Sequence, residues 1–151
     1  MRPYERLFGN GLAAGVMLAH VVYREMDELP AGFSKFWIDR ELRGRLGFGG
    51  AAFCDDLSME ATHGYGSMRR RARLALQAGC DMVLVCNDRR AAEQAVLALN
   101  DYSNPLSLVR LARLHGTRRV SRDALRASEE WQTATAWLDR WGARPPLELD
   151  A

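Results

Sequence analysis

Three almost wholly apolar runs, each followed by a helical stripe, restrict this chain to a small set of folds. The runs occupy residues 15–22 (Gly-Val-Met-Leu-Ala-His-Val-Val), 50–54 (Gly-Ala-Ala-Phe-Cys) and 81–86 (Asp-Met-Val-Leu-Val-Cys). None alternates apolar with polar, so each reads as a strand buried on both faces, the habit of parallel sheets. Ile38, Leu42 and Leu46 follow the first at i, i+4, i+8. Met68, Ala72, Ala75, Leu76 and Gly79 follow the second, and Ala92, Ala95, Val96 and Leu99 the third. Gly47 and Gly79 stand where helices should end. Strand starts fall roughly 30–35 residues apart, the size of a βα unit.

The pattern predicts three consecutive parallel βα units over residues 14–99. After residue 101 the strand-like runs stop. Asn104-Pro105 opens a helix through Leu114, and Gly116 ends it. Ser121 caps a last long helix with Trp131, Ala134, Leu138 and Trp141 on one face. Pro145-Pro146 ends the ordered part, so the expected organisation is one domain over 1–141 and a loose tail over 142–151. Three strands leave two edges, and a complete (β/α)8 barrel takes about 250 residues. A chain of 151 residues therefore reads as part of such a barrel, or as a small open sheet that needs a partner.

Composition excludes several classes. At 48% hydrophobic the chain can build a core, and no apolar run reaches the roughly 18 residues a membrane span requires. The basic start at Met1-Arg2 resembles a signal peptide, but Glu5 and His20 spoil it, and the apolar part reads as core. A net charge of +2 does not call for nucleic acid. The arginines at 69–71 and 73 read as the solvated face of a helix, with no interleaved aromatics for single strands. Cys54, Cys80 and Cys86 are odd in number and lack Cys-x-x-Cys spacing, which fits buried free thiols in a reducing compartment. No metal-ligand spacing joins them to His20 or His63, and no cofactor motif is complete. Gly47-Phe48-Gly49-Gly50 precedes a strand instead of following one, and Gly64-Tyr65-Gly66-Ser67 lacks the spacing and the Lys of a phosphate loop, leaving Ser67 as an N-cap.

The chemistry-bearing stretch is Phe53-Cys54-Asp55-Asp56-Leu57-Ser58-Met59-Glu60. Two carboxylates at the end of a buried strand are costly unless used or satisfied, and parallel α/β folds place their chemistry at the C-terminal ends of strands. Adjacent strand residues point to opposite sides. One Asp should therefore be chemical or pocket-lining, and the other structural. His20, late in its run, fits either a satisfied core histidine or one lining a pocket at this edge. His63, in the following loop, fits either a pocket residue or an exposed loop histidine. Asn87-Asp88 also follows a strand and reads as a helix cap.

These residues carry a resemblance. Met17-x-Ala19-His20-Val21, Phe36-Trp37, Leu46-Gly47-Phe48-x-Gly50, the block from Phe53 to Glu60, and Ala78-Gly79-Cys80-Asp81 running to Asn87 are similar, in order and spacing, to bacterial β-N-acetylhexosaminidases of glycoside hydrolase family 3. The similarity continues through Ser121-Arg122-x-x-Leu125 and covers roughly residues 1–141. It implies a TIM-type barrel and retaining hydrolysis of terminal β-linked N-acetylglucosamine, taken from muropeptides in cytoplasmic cell-wall recycling. It makes Asp55 the match to the catalytic nucleophile, leaves His20 and His63 as candidate substrate-binding residues, and implies no cofactor. The family's acid/base is a His on a mobile loop paired with an Asp, so the two-carboxylate pattern is not expected.

The departures are equally informative. Neither the sugar-binding Lys-His-Phe-Pro-Gly-His-Gly segment nor the acid/base loop has a match. The resemblance takes in only the last three βα units and the C-terminal helices. Cys54 stands for the usual Ser, Gly49 for an Asp, and Ala61-Thr62-His63 for a Gly-Ala-rich stretch. His63 does not match the acid/base motif. Two functional expectations remain: part of a glycosidase that is inactive alone, or a non-catalytic half barrel. The expected partners are an N-acetylglucosamine-containing saccharide and either the other half of the barrel or a second copy.

Overall fold

The structure, a computed structural model, describes residues 2–116 and 119–142. The chain divides into two compact units, the first ending at His115 and the second beginning at Gly116.

The first unit holds a parallel sheet of β1 (Gly15–Leu18), β2 (Ala51–Asp56) and β3 (Met82–Leu84), in that order. Helix α1 (Arg2–Gly9) precedes it. A 3-10 turn (Ala31–Phe33) and a π-helix (Phe36–Arg45) connect β1 to β2. A 3-10 helix (Glu60–Tyr65) and α2 (Met68–Ala78) connect β2 to β3, followed by α3 (Arg89–Ala98) and α4 (Pro105–Ala112). The expected parallel order and crossovers are present. The stripe at 38, 42 and 46 sits on a π-helix, with Ile38 and Leu42 buried and the Leu46 N–H donating five residues back to the Glu41 carbonyl. Asn104 caps α4, accepting from the Leu106 and Ser107 N–H groups.

Only β2 is largely buried. On one face Val16, Leu18, Ala52, Cys54 and Val83 join core clusters built with Phe33, Ile38, Leu42, Phe48, Ala72 and Ala75. On the other lie Met17, Phe53 and Met82, with Met17 53% and Met82 38% exposed. The expectation of strands buried on both faces therefore fails for β1 and β3 and holds only in part for β2, where Phe53 and Asp55 are half-buried, because the described helices cover one face. Boundaries shift too. β1 stops at Leu18, after which the chain turns to form a bridge between Val22 and Pro30. β3 stops at Leu84, leaving Cys86 exposed where a buried thiol was expected; Cys54 and Cys80 are buried. In α3 the buried positions are Ala95 and Ala98, while Val96 is exposed.

Two glycines are required by contact. A Cβ at Gly50 would lie 2.4 Å from the Ala14 carbonyl oxygen. Gly79, at φ +112°, ends α2 in the left-handed region, and a Cβ there would lie 2.9 Å from Ile38 Cγ2.

At the N-terminal end of the sheet the Asp81 side chain is fully buried. Its Oδ2 accepts from Arg43 at 2.7 Å and from the Ala52 N–H at 2.8 Å. Its Oδ1 accepts from Ser107 Oγ at 2.7 Å and from Arg110 at 3.0 Å. Arg43 also donates to the Phe48 and Gly50 carbonyls. One carboxylate thus ties the π-helix, β2, the start of β3 and α4. Burial alone would raise its pKa, but the bonds from Ala52, Ser107 and Arg110 and the Arg43 charge outweigh burial and hold it below the ordinary 3.8.

In the second unit the single long helix expected after Ser121 is two helices, α5 (Arg122–Ala127) and α6 (Glu129–Gly142). Ser128 breaks the run with an extended backbone (φ −71°, ψ 146°). Its Oγ accepts from the Trp131 N–H, so a serine able to cap starts a new helix. No described residue of α6 is buried, so the stripe of Trp131, Ala134, Leu138 and Trp141 is not a buried face. Apart from Gly142, the expected loose tail lies outside the described residues.

Asp81→Ala should cost about 3–5 kcal/mol in urea unfolding at neutral pH, since it strands two partly buried arginines and an amide. Because the native pKa is depressed, the carboxylate's stabilisation is complete above its unfolded value and is lost as pH falls through the native one. Urea midpoints measured from neutral pH down to about pH 3 should fall less steeply in Asp81→Asn than in the parent.

Candidate active site at the C-terminal edge of the sheet

The opposite end of the strands gathers a different set of groups. β2 runs through both aspartates, and its pairing with β3 slips between Phe53↔Met82 and Asp56↔Leu84. Three steps on β2 oppose two on β3, a bulge that includes Asp55. Bulges bend a strand and re-aim side chains, and they recur beside active sites.

The two carboxylates have unlike surroundings. Asp56 Oδ1 accepts from the Ser58 N–H at 2.9 Å and the Cys86 N–H at 3.0 Å, and its Oδ2 accepts from Ser58 Oγ at 2.6 Å. It therefore ties the end of β2 to the chain leaving β3. Burial would raise its pKa, but the bonds from Ser58 and Cys86 and the neighbouring His20 bring it below the ordinary carboxylate value. Asp55 is half-buried, and Oδ1 accepts only from the Asp56 N–H at 2.8 Å. No other donor or ion-pair partner reaches its carboxylate among the described residues.

His20 lies two residues beyond β1, only 9% exposed. Its Nε2 lies 3.1 Å from each of the Asp55 and Asp56 carbonyl oxygens. Carbonyls only accept, so Nε2 carries the proton. The ring rests on Phe33 with centroids 5.4 Å apart, and the buried Nδ1 has no partner among the described residues. Beyond β3, Asn87 adopts φ +59°, the one positive φ among described residues other than glycine, while Asp88 caps α3 by accepting from the Ala91 N–H.

His63 is exposed in the 3-10 helix after β2, and its Nε2–H donates to the Ser58 carbonyl at 3.0 Å. It lines an open polar cleft of ≈ 470 Å³ with Ser58, Ser67, Arg71, Asp88 and Arg90. Asp55 is not among the residues lining that cleft. The structure thus brings His20 onto the main chain of the aspartate pair and leaves His63 beside Ser58. Among the described residues no three His, Cys, Asp or Glu side chains converge as metal ligands.

Two supporting contacts were not foreseen. Arg71, expected on a solvated face, turns inward to donate to the Leu57 carbonyl at 2.6 Å and to Thr62 Oγ1 at 2.8 Å. Thr62, fully buried, donates to the Leu57 and Met59 carbonyls and closes the loop below Asp56. The faint sequence signal was a Thr in an otherwise exposed loop, nine residues before an Arg.

The described unit is a parallel α/β sheet with a lightly bonded carboxylate, Asp55, at the C-terminal edge of its central strand. The chain belongs to the family described as glycosyl hydrolase family 3 N terminal domain, whose model matches residues 1–114. A beta-hexosaminidase of Thioalkalivibrio sulfidiphilus is 50% identical over 148 residues, 98% of this chain and 42% of that protein. One from Alkalilimnicola ehrlichii is 44% identical over 149 residues, again 98% of this chain and 42% of that protein. NagZ from Neisseria gonorrhoeae superposes with a TM-score of 0.72 at 32% identity, covering 95% of this chain and 40% of that one. A glycoside hydrolase family 3 β-N-acetylglucosaminidase from Paenibacillus gives a TM-score of 0.68 at 25% identity, over 87% of this chain and 28% of that one. The chain thus spans about two fifths of the length of the beta-hexosaminidases it matches.

The unequal bonding of the two aspartates gives a direct expectation. Asp56→Ala should cost about 1.5–3 kcal/mol and speed amide hydrogen exchange at Ser58 and Cys86. Asp55→Ala should change stability by only about 0.5 kcal/mol. Equal losses for the two variants would contradict this division of labour.

Proposed function

We propose that this chain supplies the nucleophile-bearing part of a retaining β-N-acetylhexosaminidase, with Asp55 as the nucleophile. The observation that carries the reading is the difference between the two carboxylates. Asp56 is consumed by three hydrogen bonds, whereas Asp55 accepts one and keeps Oδ2 without a described donor. In this reading the sheet forms the last three strands of a (β/α)8 barrel, and Asp55 stands where such barrels carry their chemistry.

The step follows from that placement. Asp55 Oδ2 attacks the anomeric carbon of a terminal β-linked N-acetylglucosamine unit. The bond to the leaving-group oxygen breaks, an acid outside this chain protonates that oxygen, and a glycosyl ester on Asp55 results. Water, deprotonated by the now-ionised outside acid, then attacks the anomeric carbon with a second inversion, the bond to Asp55 breaks, and configuration is retained. The substrate class that fits is a muropeptide-like saccharide met in the cytoplasm. No described helix is long and apolar enough to cross a membrane.

A second reading has its own support. Met17 and Met82 are exposed on one face of the sheet, and among the described residues β1 and β3 are its edges. Exposed apolar faces and unpaired edges favour association, so the chain pairs with the rest of a barrel or with a second copy. Sedimentation of the isolated chain at low micromolar concentration should show dimers or larger species. A monomer that unfolds cooperatively and binds no apolar dye would refute this association.

Catalysis is tested by complementation. The isolated chain should not turn over a p-nitrophenyl β-N-acetylglucosaminide, since nothing in it matches the family's proton donor, worth about 10²–10⁴-fold alone. Co-expression with the portion of the Thioalkalivibrio beta-hexosaminidase that this chain does not match should restore turnover. Asp55→Ala should then remove activity by a factor on the order of 10⁴. Full activity in the complemented Asp55→Ala protein would eliminate Asp55 as nucleophile.

A further inference from the structure

We infer that His20 is the positioning residue for the Asp55 carboxylate, acting through the single peptide that joins Asp55 to Asp56. The route is short. His20 Nε2–H donates to the Asp55 carbonyl at 3.1 Å. That carbonyl belongs to the peptide whose N–H, on Asp56, donates to Asp55 Oδ1 at 2.8 Å. A peptide is planar and trans, so its C=O and N–H point in opposite directions and rotate together. Fixing the carbonyl from one side therefore fixes, on the other, the donor that holds Oδ1. The same Nε2–H also reaches the Asp56 carbonyl at 3.1 Å, which spans both sides of the Asp56 Cα. The bonded chain runs from imidazole through peptide to carboxylate, and each link polarises the next.

The surroundings hold the ring in place. His20 is 9% exposed and rests against Phe33. A Cβ at Gly32 would lie 3.6 Å from Nδ1, 3.3 Å from the Leu18 carbonyl oxygen and 3.2 Å from Cys54 Sγ. The ring is walled on that side by backbone lacking a side chain. The described contacts give His20 no ion pair and no bond other than those to the two carbonyls. It thus serves the main chain of the aspartate pair, at a place where the strand pairing slips.

This inference rests on Asp55 being the reactive carboxylate, but its structural half can be read without activity. In the isolated chain, ¹⁵N spectra should show His20 protonated at Nε2. The Asp56 amide proton should move upfield in His20→Phe and stay near its original position in His20→Gln, whose side-chain amide supplies an N–H in place of Nε2–H. In the complemented enzyme His20→Phe should lower kcat about 100-fold with KM little changed, the cost of a misplaced reactive group. His20→Gln should recover about tenfold of that loss, one hydrogen bond's worth. A histidine that only fills the core would alter stability in both variants alike and leave kcat of the folded protein unchanged. That result, or an Asp56 amide unmoved by His20→Phe, overturns the inference. Activity surviving Asp55→Ala would instead overturn the nucleophile assignment, while leaving the Asp56 amide shift as a separate result.

Discussion

The buried carboxylate of Asp81 is the constraint on which the first unit depends. Four donors from three segments converge on it: Arg43 from the π-helix, the Ala52 amide from β2, and Ser107 and Arg110 from α4, with Asp81 itself just before β3. A charge in that position is tolerable only because each oxygen has two partners. The consequence is registration. Ala52 is held level with Asp81, and the return bond from the Asp81 N–H to the Ala52 carbonyl at 2.7 Å locks β3 against β2. The hydrophobic clusters supply most of the driving force, but they are non-directional and tolerate slippage. The carboxylate and its donors do not.

The two ends of the same strands therefore divide the work. At the N-terminal end a carboxylate is saturated and serves the fold. At the C-terminal end Asp56 repeats that pattern on a smaller scale, tying the strand end to the Cys86 and Ser58 amides. Asp55, one residue earlier, is spared it. Because Asp56 satisfies the neighbouring amides, no backbone donor beyond one competes for Asp55. On the proposed reading of Asp55 as nucleophile, adjacent positions on one strand would supply both the rigid surroundings and the lightly bonded oxygen that a reactive carboxylate needs.

Much of this was legible from residue order. Almost wholly apolar runs that do not alternate predicted parallel strands, and helical stripes with glycines at 47 and 79 placed the crossovers. Strand parity predicted one chemical or pocket-lining Asp and one structural Asp; the structure gives Asp56 three hydrogen bonds and Asp55 one. Other features were hidden for physical reasons. Side-chain apolarity does not say which face of a sheet will be covered, so Met17 and Met82 read as buried. An arginine run reads as solvated because arginine usually is, and only the carbonyl of Leu57 and the hydroxyl of Thr62 make Arg71 an inward anchor.

What the sequence determined by itself is the class of unit, its order of elements and the carboxylate pair at a strand end, since these follow from local periodicity and from the cost of placing charge beside a buried strand. The tertiary structure decided which aspartate is the more lightly bonded, that His20 serves main-chain carbonyls, and that Asp81, Arg43, Ser107 and Arg110 form one cluster. Those outcomes depend on contacts between residues tens of positions apart, and the bulge that sets them is a mismatch between two strands, a property that neither strand carries alone.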